Sequence, residues 1–65
     1  MTSPAELDSA ASTLEQLVQR VGLAADDLVG TEHEDLSLGL VEVERSLRTA
    51  SRRLERLVKE WRSRG

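Results

Sequence analysis

The sequence predicts an all-α fold: a two-helix antiparallel coiled-coil hairpin that assembles as a dimeric four-helix bundle. Three observations carry this expectation. Ala, Glu, Lys, Leu and Arg make up about half of the 65 residues, the composition of long helices and coiled coils. Apolar residues recur at alternating spacings of three and four through two long segments. The chain has no Cys, no Tyr and no Phe, and Trp61 is its one aromatic residue. Chains below roughly 70–80 residues rarely build a sufficient core alone, and without disulfides or large aromatics this one is expected to complete its core with another chain.

The first helix is predicted over about 4–29. Ser3-Pro4-Ala5-Glu6 is a start signal. Ser3 is placed to cap free backbone N–H groups, Pro4 sits where its missing N–H costs nothing, and Glu6 is placed to complete a capping box. The seam then reads Leu7, Ala10, Leu14, Leu17, Val21, Ala24 and Leu28, with Ala11, Val18 and Ala25 beside it. Gly22 costs about 1 kcal/mol in a helix interior, but the seam resumes in phase beyond it.

Gly30 is a natural helix terminator, and the turn is predicted at about 30–33. Thr31 with Glu34 forms a second capping box, and Glu32, Glu34 and Asp35 suit the positive end of a new helix. The second helix, about 34–63, carries the seam Leu36, Leu40, Val43, Leu47, Ala50, Leu54, Leu57 and Trp61. Glu44 with Arg48, Glu55 with Lys59 and Glu60 with Arg64 are spaced to pair at i and i+4. Residues 1–65 thus form a single helical hairpin. A turn near Gly30-Thr31 sets Val21 opposite Leu40, Leu14 opposite Leu47 and Leu7 opposite Leu54. Helix 2 then overhangs, with Leu57, Val58 and Trp61 uncovered. Leu23, Leu38 and Val41 fall off the seam near the turn. These six residues are the predicted association interface, and a homodimer or a helical protein partner would cover them.

Arg45, Arg52 and Lys59 stand seven apart opposite the second seam, flanked by Arg48, Arg56 and Arg62. This is a candidate docking face for nucleic acid, an anionic surface or an acidic protein. Against it, the chain is acidic overall and no aromatic residue is interleaved for base stacking. His33, the one His, lies between Glu32 and Glu34 at the turn, with no second ligand at metal-binding spacing. No nucleophile has a base beside it, no carboxylate pair is concentrated, and the glycines form no phosphate-cradling loop. No catalytic, cofactor-binding or metal residue is predicted, and the function expected is non-enzymatic: an interaction, adaptor or regulatory module.

Charge is divided along the chain. Residues 1–44 carry ten acids and one base, Arg20, whereas residues 45–65 carry eight bases against Glu55 and Glu60. Met1-Thr2-Ser3-Pro4 does not resemble a secretory leader, and no apolar run reaches membrane-spanning length, so a cytoplasmic protein without integral membrane association is expected. Leu14-Glu15-Gln16-Leu17-Val18 and Asp35-Leu36-Ser37-Leu38 resemble stretches of the small subunit of bacterial exodeoxyribonuclease VII, another short helical hairpin. The likeness stops at these two stretches, and no family is assigned from it.

Overall fold

A computed structural model describes all 65 residues. Helix α1 spans Pro4–Leu28 and helix α2 spans Glu34–Arg64; the two pack against each other as a rod 52 Å long, and there are no strands. Both helices run unbroken through their internal glycines, Gly22 and Gly39.

The start of α1 follows from its sequence. Ser3 holds an extended backbone and its Oγ accepts from Glu6 N at 3.2 Å. Pro4 occupies the first turn. The reciprocal bond of a capping box, from Ser3 N–H to the Glu6 carboxylate, is not formed, so the cap is one-sided. At the other end Val29 N donates to Asp26 O and Thr31 N to Leu28 O, while Gly30 adopts φ +82°. That left-handed conformation is available to Gly without the steric cost a Cβ brings.

The second capping box forms differently from expectation. The α2 N-cap is His33, whose side chain caps nothing. Thr31 Oγ1 donates to Leu28 O at 2.7 Å and accepts from His33 N at 3.1 Å, and Glu34 Oε1 accepts from Gly30 N at 3.2 Å. Thr31 and Glu34 therefore stitch a five-residue turn, 29–33, rather than cap the helix directly. Glu34 and Asp35 in the first turn of α2 and Arg62 and Arg64 in its last turn complement the helix dipole.

The register differs from the predicted one. Gly22 lies against the Glu44 carboxylate, Arg62 reaches Asp8 at 3.7 Å, and Leu7 shares a groove with Leu57 and Trp61. The predicted facing pairs Val21–Leu40, Leu14–Leu47 and Leu7–Leu54 are thus offset by about one helical turn. Leu14 comes level with Ser51, Leu28 with Ser37, and Ala11 with Leu54, so that large side chains lie across from small ones. The overhang shortens accordingly. Val58, expected to be uncovered, is the most buried residue of the chain at 2% exposure.

The helices are also rotated about their axes relative to the predicted seam. The residues facing inward are Leu7, Ala11, Leu14, Val18, Val21, Ala25 and Leu28 from α1, and Ser37, Leu40, Glu44, Leu47, Ser51, Leu54 and Val58 from α2. The Leu lines predicted at seven-residue spacing are kept, but each is paired with the row four residues on rather than three. Only Ala11, Val18, Ala25 and Val58 form a buried hydrophobic core, joined by buried Ser37 and Ser51. Ser37 Oγ donates to Glu34 O at 2.7 Å, and no buried side-chain polar atom lacks a partner. Small residues are what this line needs, because they let the two backbones approach closely.

Candidate functional site

The rotation of both helices decides what the surface presents. The row three residues beyond each seam Leu is left outside: Ala10, Leu17 and Ala24 on α1, and Leu36, Val43, Ala50 and Leu57 on α2. Because the helices are antiparallel and turned by the same amount, both rows emerge on one side of the hairpin. Leu36 is 55% exposed and Leu57 57%; Leu17 and Val43 are exposed as well. The half-buried Leu7, Leu14, Val21, Leu40, Leu47 and Leu54 form the floor between the rows. The result is one continuous apolar face running along the rod. Arg53, Arg56 and Glu60 rim it beside Leu57.

The opposite side is polar along its middle and open end and mixed near the turn, where Leu23 and Val41 are exposed. Glu15, Gln19, Arg48, Ser51, Arg52 and Glu55 line a groove between the helices, floored by Val18. Toward the turn this groove continues past Gly22, Asp26 and Glu44. Arg48 is ion-paired to Glu44 within it. The two sides of the seam therefore differ: one carries the apolar rows along its length, and the other is charged except at its turn end.

The six residues predicted for association lie, as expected, in two groups, at the open end and near the turn. Leu57 and Trp61 lie at the open end, where Trp61 is 39% exposed and packs beside Leu7. Val58 is buried in the seam. Leu23 and Val41 line the turn end of the polar groove, and Leu38 is exposed near the start of α2. Most residues of the continuous apolar face are ones that heptad spacing places in the intramolecular seam. The signal lies in the width of the stripe: α1 carries apolar residues on both flanks of its Leu line, and one partner helix covers a single flank.

The candidate cationic residues also divide. Arg48 pairs with Glu44 and Arg62 with Asp8, while Arg45, Arg52, Arg56 and Lys59 have no carboxylate within ion-pair reach. Glu60 pairs with Arg64 at 2.6 Å, but the expected Glu55–Lys59 pair is not formed. His33 is exposed at the turn, 3.4 Å from Glu32. No group of three metal-ligating side chains comes together, and no helix is long and apolar enough to cross a membrane. No protein-family model, curated protein or solved structure matches the chain.

Proposed function

We propose that this chain is a non-enzymatic helical hairpin that self-associates, as a dimeric four-helix bundle, and serves as a protein–protein interaction, adaptor or regulatory module in the cytoplasm. The observation that carries this reading is the apolar face. Leu17, Leu36, Val43 and Leu57 are exposed on it while the buried core holds nothing larger than Val. Contiguous exposed apolar surface of this kind marks contact sites. The face runs along a rod 52 Å long, so its length offers a second copy contacts from one end of the hairpin to the other. Light scattering tests it: the expected mass is twice 7.2 kDa at micromolar concentration, with thermal stability rising with concentration. A folded monomer throughout that range refutes it. A helical protein partner on the same face is the heterologous form of this reading.

A second reading is supported by the four cations without carboxylate partners, Arg45, Arg52, Arg56 and Lys59. It makes the hairpin a nucleic-acid-associated accessory factor that contacts phosphates through the outer side of α2. Binding to duplex or single-stranded DNA that weakens steeply with salt is the expected behaviour. No binding at low salt removes it.

A further inference from the structure

We infer that the second copy docks on this apolar face with its turn at the opposite end of the rod, about a two-fold axis perpendicular to the long axis. The inference rests on the self-association reading and adds its geometry. The apolar rows alone fit either orientation, because each row is seven-residue periodic and both helices contribute one. Charge separates the two.

The hairpin register converts the charge asymmetry of the chain into an asymmetry of the rod. At the turn end, residues 24–41 hold five carboxylates (Asp26, Asp27, Glu32, Glu34 and Asp35) and no Lys or Arg. At the open end, residues 1–13 and 52–65 hold six Lys and Arg against Glu6, Asp8, Glu55 and Glu60. The middle is balanced: Glu15, Glu42 and Glu44 against Arg20, Arg45 and Arg48. Two copies stacked with turns together place five carboxylates on five. Stacked with turns apart, each acidic end lies on the basic end of the other copy. One surface carrying both halves of a complementary pair is what a closed two-fold dimer uses.

The rim of the face agrees. With turns apart, α2 lies antiparallel on α2 of the second copy. Leu36 then meets Leu57 of the second copy, and Val43 meets Ala50 of the second copy. Asp35 and Glu42, which immediately precede Leu36 and Val43, then come level with Val58 and Ser51 of the second copy, two residues or about 3 Å along the axis from its Arg56 and Arg53. With turns together, Asp35 and Glu42 instead sit among the carboxylates of the second turn.

The chain has no Cys, so a single spin label at Val29, a turn residue 59% exposed and free of side-chain hydrogen bonds, introduced as Val29→Cys, reports the distance between the two turns. Pulsed dipolar spectroscopy on the full chain, with mass measured on the same sample, is the test. The expected result is a dimer with labels about 50 Å apart, the length of the rod. A dimer with labels within about 20 Å, the reach of neighbouring helices, overturns the orientation and leaves self-association standing. A monomer overturns both. Leu17→Glu, exposed in the hairpin and so compatible with its fold by circular dichroism, is expected to weaken the dimer at least about tenfold. A dimer unchanged by Leu17→Glu overturns the assignment of the face.

Discussion

Leu57 and Val58 are adjacent in sequence, one on the exposed apolar face and the other in the seam, so truncating each to Ala separates the proposed docking face from the fold. Val58→Ala removes two carbons from a site 2% exposed. At about 0.8 kcal/mol per buried carbon that is roughly 1.6 kcal/mol, and a residual cavity brings it to about 2. Leu57→Ala removes three carbons, about 2.4 kcal/mol if fully buried. Leu57 is 57% exposed, however, so only about 1 kcal/mol is at stake within the hairpin. The better helix propensity of Ala returns a few tenths of a kcal/mol in both variants. Urea denaturation followed by circular dichroism, at concentrations where the chain is monomeric, is expected to rank Val58→Ala as the more damaging change. Raising the concentration is expected to bring Leu57→Ala closer to Val58→Ala, because dimerisation buries the Leu57 side chain. If Leu57→Ala costs more than Val58→Ala at high dilution, the inward face is the one expected from the Leu spacing, and the account of the exposed face fails.

The glycines and the first cap yield further expectations. Gly39→Ala meets nothing within 4 Å and gains about 1 kcal/mol of helix propensity, a rise in Tm of about 4–8 °C by thermal denaturation. Gly22→Ala is expected to gain less, because its Cβ would stand 3.3 Å from the Glu44 carboxylate; a larger rise at Gly22 than at Gly39 would contradict that close approach. Gly30→Ala forces a Cβ into φ +82° and is expected to cost about 1 kcal/mol, although open space surrounds it. Ser3→Ala removes the cap on Glu6 N and is expected to cost about 1 kcal/mol, whereas Ser3→Asp retains stability in the same assay.

Much of the hairpin is legible in the linear chain, and the reasons are local. Ser3-Pro4 can start a helix because Ser accepts from free N–H groups and Pro needs no hydrogen bond there. Gly30 can end one because it tolerates a positive φ. Lines of Leu seven apart name the side of each helix that turns inward, since that period holds one stripe against a partner. In α2 the spacing favours Leu36, Val43, Ala50 and Leu57 over the row Ser37, Glu44, Ser51 and Val58 that the structure turns inward, and in α1 it leaves open which flank is buried. Ala10, Leu17 and Ala24 and the row Ala11, Val18 and Ala25 are both apolar, so periodicity treats them alike.

The sequence by itself determined two amphipathic helices, the turn between them and an uneven division of charge. Only the tertiary structure decided their rotation and register. A five-residue turn, stitched by Thr31 and Glu34, joins them, and α2 packs about one helical turn away from the simplest pairing. At that register small residues lie across from Leu, and Ala11, Val18, Ala25, Ser37, Ser51 and Val58 close the seam. Close packing depends on the shapes of side chains from both helices at once, which no single stretch of sequence contains. The larger residues Leu17, Leu36, Val43 and Leu57 are left on the outside for the same reason, and the exposed apolar face is the remainder of that choice.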